Sequence, residues 1–198
     1  MWWIVWLLGS AWGGIDVQRA LADQANTRPE MLRNEAWTAG LQAWIAAAEA
    51  NETRSSVLTI IDYSLPSDAR RLWVIDLERG EMLFHERVAH GRNSGGRVAT
   101  SFSNEEGSKQ TSLGAFLTAA TYQGKHGRSL RLDGLEPRND AARQRAIVIH
   151  SADYVDDKYV AEHGQAGRSW GCPALDPDVA QQVIDAIAQG SILYAWAP

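Results

Sequence analysis

The chain has 198 residues, 45% hydrophobic and 22% charged, which is one globular domain with terminal material and excludes low complexity and disorder. Its 19 Lys and Arg stand against 24 Asp and Glu, a net charge of −5, and no clustered cations are present to neutralise phosphates, so nucleic acid is excluded as a partner. The single cysteine, Cys172, excludes an internal disulfide and a Cys-rich metal site.

The opening MWWIVWLLGSAWGGI is free of charge and carries four of the nine tryptophans. It is shorter than the roughly 20 residues that span a bilayer. It has the length of a signal-peptide apolar region, and Ala20-Leu21-Ala22 is a small-x-small cleavage site. No Lys or Arg precedes it, so an amphipathic or buried N-terminal helix is the alternative. The expected division is a signal peptide over 1–22, an N-terminal helical segment over 23–56 and the main domain over 57–198. This reading places the mature chain outside the cytoplasm, in the periplasm or cell envelope, as a monomer. An uncleaved leader would give it transient membrane contact.

Thr27-Arg28-Pro29-Glu30 has capping-box spacing with Pro in the first turn, and Leu32, Trp37, Leu41, Trp44, Ile45 and Ala48 recur at helical spacing, predicting a helix over 29–50. Short β-branched runs then predict strands over 57–62, 72–76, 82–89, 115–122, 129–132 and 146–150. Residues 77–80 read as a hairpin turn with Gly80 at positive φ. The continuously apolar AIVIH (146–150) predicts a central strand buried on both faces that ends on His150. The Gly/Ser/Thr-rich stretch from Gly91 to Gly114 reads as a functional lid or binding loop. Asp176 as N-cap, Pro177 at N1 and Gly190 as C′ bound a helix carrying Val179, Val183, Ile184 and Ile187. SILYAW (191–196) closes as a strand. The fold class is mostly β, a mixed α+β domain with a helix on each flank.

Chemistry concentrates between 146 and 175. His150 ends a buried strand, and Cys172 lies 22 positions later in the tight loop GRSWGCPAL. An imidazole, a cation or aligned backbone N–H groups turn a thiol into a nucleophile. Gly171 lets the chain turn so that those N–H groups could face a carbonyl, and Ser169 offers a hydroxyl in the same turn. The competing reading is a cysteine that only packs.

The segment HSADYV…GRSWGC resembles the catalytic segment of the L,D-transpeptidase (YkuD-type) family, marked by a His followed some residues later by S/T-x-G-C. FSNEEGS (102–108), SLGAF (112–116) and TYQGKHGRSLRLDGLE (121–136) resemble its murein L,D-transpeptidase catalytic-domain branch, so the likeness spans 57–198. The resemblance implies a β-rich fold with the Cys loop and the His strand meeting in a groove. It also implies an exported, cofactor-independent and metal-free enzyme acting on peptidoglycan stem peptides. Cys172 would attack the carbonyl of the third stem residue and expel terminal D-Ala. The thioester would then pass to an amine of a neighbouring stem, to a protein lysine or to water. His150 maps to the general base, Ser169 and Gly171 to loop positions shaping the pocket, and the N–H groups of Gly171 and Cys172 to an oxyanion site. An ion pair between His150 and Cys172 would activate the thiol.

Two departures stand out. Many members carry His where this chain has Trp170, and Arg where it has Ala174. A cation for the substrate carboxylate must therefore come from Arg168 or from the hairpin cluster of Lys125, His126 and Arg128 beside Tyr122. Of these Arg168 is favoured, since it lies in the Cys loop. His85 reads as packed or superficial, and His90 and His163 as surface residues. A metal site of His150, His163 and Cys172 lacks the usual ligand spacing. The alternatives to a transferase are an L,D-carboxypeptidase that only hydrolyses and a non-catalytic peptidoglycan-binding envelope protein.

Overall fold

The computed structural model describes residues 28–198; the leader, its cleavage site and the Thr27 cap lie outside the described residues. The elements in chain order are α1 (Asn34–Glu49), β1 (Val57–Asp62), β2 (Arg70–Asp76), β3 (Glu81–Arg87), β4 (Gly114–Gly124), β5 (Gly127–Gly134), β6 (Val148–Ser151), α2 (Asp157–His163), β7 (Ala174–Leu175), α3 (Pro177–Ile187) and β8 (Ile192–Trp196). No described helix is long and apolar enough to cross a membrane. The domain is mostly β, with a helix ahead of the sheet and one after the Cys loop.

Eight strands form one sheet in the order β3-β2-β1-β8-β4-β5-β6-β7. The pairs β1–β8 and β6–β7 are parallel, and the rest are antiparallel. The two ends approach each other, because Val88 just after β3 bridges to Leu175 of β7. Period-two alternation sends neighbouring side chains to opposite faces. Leu58, Ile60, Trp73 and Ile75 therefore pack with Leu32, Trp37, Leu41 and Trp44 of the α1 region. Ile61, Leu72 and Val74 turn the other way, into a core with Ala180, Val183, Ile184 and Ile187 of α3. Both faces are covered, which is why β1 and β2 read as nearly unbroken apolar runs. Gly40 permits the close approach of α1, since a Cβ there would lie 2.8 Å from Ile60 Cδ1.

Three expectations are corrected. Residues 29–32 form a turn closed by the Leu32 N–H on the Pro29 carbonyl at 3.0 Å, and the turn buries Leu32. The helix starts after it, at Asn34, with no side-chain cap. Helix α3 ends at Ile187, not beside Gly190. Thr118 of β4 stops it there, donating its hydroxyl to the Ile187 carbonyl at 2.7 Å. Within AIVIH, residues 147–150 are buried as expected, but Ala146 is exposed, the strand starts at Val148, and it is second from one end of the sheet. Its outer partner, β7, is a two-residue strand just beyond Cys172. Gly80, by contrast, closes the β2–β3 turn at φ 68° as anticipated.

Trp44 is fully buried against the sheet and donates its indole N–H to the Ser55 carbonyl at 2.9 Å. Trp44→Ala should therefore lower unfolding stability by about 3–5 kcal/mol in a denaturant titration. A loss below 1 kcal/mol would show that α1 contributes little to this core.

Candidate active site

β6 and β7 run side by side, and His150 of β6 is registered with Ala174 of β7, two residues past Cys172. The parallel pairing brings the imidazole and the thiol to one cavity of about 530 Å3. Its floor is Val148, His150, Ser169 and Cys172, with Tyr154 from the turn after β6. The β4–β5 hairpin supplies Tyr122, Lys125 and His126, and the Cys loop adds Arg168 and Trp170. Among the described residues no Asp or Glu lines it, in a chain of net charge −5. Of the residues singled out in the sequence, the structure gathers Cys172, His150, Ser169, Arg168, Trp170, Tyr122, Lys125 and His126 around this one cavity. Arg128 is not among them. Its guanidinium turns to Asp185 on α3 at 2.7 Å while the next residue, Ser129, lines the cavity, because successive side chains of a strand point to opposite faces.

Cys172 is half-buried, and its Sγ lies 3.6 Å from the Ala146 carbonyl. Ala146 holds the left-handed φ of 53°, which delays the start of β6 to Val148. Burial raises the Cys172 thiol above its ordinary value, while a backbone hydrogen bond from Val148 and the charges of Arg145 and Lys125 act the other way. His150 is 4% exposed, and its Nδ1 is 2.8 Å from the Ser151 carbonyl. A carbonyl only accepts, so Nδ1 carries the proton and Nε2 keeps a free lone pair. Burial lowers the His150 pKa, and His126 and Lys125 lower it further. Both shifts favour the uncharged forms of thiol and imidazole, because desolvation works against the expected ion pair. The His126 ring stacks on His150 at 4.5 Å between centroids.

The Cys loop is braced from within and from below. Ser169 Oγ donates to the Cys172 carbonyl at 2.6 Å and accepts the Gly171 N–H at 3.0 Å. The Gly171 N–H is thus committed to Ser169 and is not free for an oxyanion. The Cys172 N–H has no acceptor among the described residues. Gly171 sits at φ 124°, and a Cβ there would meet the Gln110 carbonyl at 2.7 Å, so only glycine fits. Below, the Ser169 N–H donates to the His90 carbonyl at 2.9 Å, and the Arg92 N–H to the Ser169 carbonyl at 2.8 Å. The stretch 91–114 therefore acts here as a buttress, with Thr111 Oγ1 donating to the Gly171 carbonyl at 3.4 Å. His90 is wholly buried, not superficial. Its Nδ1 accepts from Arg71 at 2.8 Å, and burial, followed by the Arg71 charge, pushes its pKa down to about 4.

Sequence reasoning missed Arg145. Its guanidinium donates to the Ser103 and Gln110 carbonyls, both at 2.7 Å, and to the Ser112 hydroxyl, tying the buttress to the cavity wall. Its position just before AIVIH was the only available signal. Tyr154 lies in HSADYV, four residues past His150. Trp170 is 67% exposed, yet Lys109 and Lys125 hold their Nζ atoms 4.7 and 5.9 Å from its ring centre. His85 stacks on Trp73 at 4.7 Å, and His163 stacks on Tyr159 at 3.9 Å at the end of α2. Among the described residues no three His, Cys, Asp or Glu side chains converge on a metal position.

A family model for the L,D-transpeptidase catalytic domain matches residues 28–196. No curated protein matches the chain. Among solved structures, an L,D-transpeptidase from Mycobacterium smegmatis is 21% identical, with 72% of this chain and 59% of that one covered and a TM-score of 0.45. An L,D-transpeptidase from Xylanimonas cellulosilytica is 12% identical, with 92% and 94% covered and a TM-score of 0.43. The helical cell shape determining protein Pgp2 from Campylobacter jejuni is also 12% identical, with 71% and 43% covered and a TM-score of 0.42. The chain thus spans 59% of the length of the first of these.

Proposed function

The chain belongs to the L,D-transpeptidase catalytic-domain family, and on that premise we propose that it is an exported acyl transferase of the cell envelope that acts on peptidoglycan stem peptides through Cys172 and His150. The observation that carries this reading is one cavity holding a half-buried thiol and an imidazole with a free Nε2, lined by cations and, among the described residues, by no carboxylate. A stem peptide is anionic, and its amide carbonyl is a poor electrophile, so it needs this combination.

His150 Nε2 takes the thiol proton as Cys172 Sγ bonds to the carbonyl carbon of the third stem residue. Drawing the proton off during attack removes the need for a preformed thiolate. The oxyanion meets the unpartnered Cys172 N–H, with Arg145 and Lys125 supplying positive field. Collapse breaks the C–N bond, and His150 returns its proton to the amine of the departing D-Ala. Ser169 acts on the Cys loop rather than on substrate, since both of its hydrogen bonds close that loop. An amine of a neighbouring stem then adds to the thioester carbonyl and the C–S bond breaks, giving a 3→3 cross-link. Water in place of the amine gives hydrolysis. The signal peptide over 1–22 is the proposed route of export.

The deciding experiment is incubation with tetrapeptide muropeptides followed by mass analysis. Free D-Ala with a cross-linked dimer is expected; D-Ala with tripeptide alone means a carboxypeptidase, and unchanged substrate would overturn the enzyme reading.

Arg168 is the proposed clamp for the donor carboxylate. Its Nη1 is anchored on the Gly95 carbonyl at 3.0 Å, leaving the rest of the fork to bind. Arg168→Ala should raise the KM for tetrapeptide about tenfold, the worth of one charge-assisted contact of about 1.5–3 kcal/mol. Its rate of Cys172 alkylation should stay within about twofold of the parent. An unchanged KM would transfer the role to Lys125 and His126.

A further inference from the structure

The wall formed by Arg168 and Trp170 belongs to two cavities. Besides the one holding Cys172, a second of about 240 Å3 is lined by Arg92, Tyr159 and Gln165 together with those same two residues. Among the described residues no Asp or Glu lines it. No ion pair among the described residues involves Arg92 or Arg168. Arg168 Nη1 instead donates to the carbonyls of Gly95 and Arg92, at 3.0 and 3.4 Å, and the Arg92 N–H donates to the Ser169 carbonyl at 2.8 Å. These bonds seat the backbone of Arg92 against the loop that carries Cys172. In a chain with 24 acidic side chains, the guanidinium of Arg92, without a carboxylate partner among the described residues and lining one cavity with a phenol and a carboxamide, makes a place for an anion with planar oxygens that Arg168, turned to the donor, leaves to it.

We propose that this second cavity is a carboxylate subsite for the acceptor stem peptide, with Arg92 as its specificity-determining residue; the inference rests on the acyl-transfer reading above. The donor carbonyl must lie against Cys172, in the larger cavity, where Lys125, Arg145 and Arg168 meet its charges. The acceptor must bring an amine to that same carbonyl while its own carboxylate is held elsewhere. A cavity that shares a wall two and four residues from the nucleophile satisfies both demands. The amine nitrogen then bonds to the thioester carbon, the C–S bond breaks, and the proton shed by the amine returns to sulfur through His150. A carboxylate gripped by Arg92 favours this amine over water and sets the balance between cross-linking and hydrolysis.

The test uses the full chain, an isotope-labelled tetrapeptide muropeptide as donor and an unlabelled tripeptide muropeptide as acceptor, since the latter has no terminal D-Ala to lose. Mass analysis reads the ratio of mixed dimer to labelled tripeptide. Arg92→Ala should lower that ratio about tenfold or more, the effect of one lost charge-assisted contact, and Arg92→Lys should restore part of it. An unchanged ratio overturns the subsite. A donor KM, measured without acceptor, that rises by the same factor assigns the carboxylate to the donor and equally overturns it. Loss of D-Ala release at an unchanged melting temperature would make Arg92 part of acylation, again against the proposal. A parent protein that yields no dimer removes the transfer reading and the subsite together, whereas dimer formation indifferent to Arg92 removes the subsite alone.

Discussion

Cys172→Ala is expected to abolish release of terminal D-Ala from tetrapeptide muropeptides, by at least about a thousandfold, because the proposed acyl intermediate forms on its sulfur and the Ser169 hydroxyl is committed to the Cys172 carbonyl. The fold should survive. Cys172 is half-buried, and the turn around it is held by Ser169, Gly171 and the buttress beneath, none of which needs the sulfur. The expected loss of stability is about 1 kcal/mol or less, read as a nearly unchanged melting temperature. Appreciable D-Ala release from a folded Ala variant would end the thioester mechanism.

The second large effect concerns His150. Alkylation of Cys172 by iodoacetamide should slow by about 100-fold or more at pH 7 in His150→Ala, the worth of a positioned general base. The pH dependence follows from the directions of the two shifts. Burial disfavours the imidazolium, so His150 stays a neutral base to a pH below its ordinary value of 6.5. The parent rate should therefore fall on acidification only below that value. In the variant the remaining titration is that of Cys172, displaced upward from 9.0 by burial. Its rate should keep climbing with pH across the neutral range, where the parent is level. Identical profiles would reduce His150 to a packed residue at the edge of the sheet. His126→Phe offers an internal comparison, since it keeps a ring on His150 but removes a charge that depresses it. Its acid limb should move to higher pH, and an unmoved limb would show that His126 exerts no field there.

The order His150 then Cys172, the glycine before the cysteine and the apolar run AIVIH were legible because each is local chemistry: a β-branched stretch must be buried, and a turn at φ 124° admits only glycine. The amphipathic faces of α1 and α3 and the hairpin at Gly80 were legible for the same reason, since neighbours along the chain encode period and turn. The short β7 escaped notice because two residues, Ala174 and Leu175, carry no period at all; they are a strand only because β6 lies alongside. Helix α2 was also missed, as its seven residues bury no side chain completely and so show no apolar stripe.

Within the site, residue types were readable and their directions were not. Lys125, His126 and Arg128 formed one cluster in the sequence. The hairpin keeps Lys125 and His126 over the cavity and sends Arg128 to Asp185, 57 positions further on. The Gly171 N–H was a reasonable oxyanion donor until the Ser169 hydroxyl, two residues away, claimed it. Nothing local marks Arg145, Lys109 or Arg92 as individual residues, although the last two lie in the stretch read as a functional loop, and only the approach of distant segments to the Cys turn gives them a role. The sequence by itself determined the longer elements and marked Cys172 and His150 as the candidate pair, because these depend on contacts within a few residues. Tertiary structure alone decided which cations face the thiol, which N–H stays free and which arginines go unpaired, because those depend on how the sheet brings distant segments together.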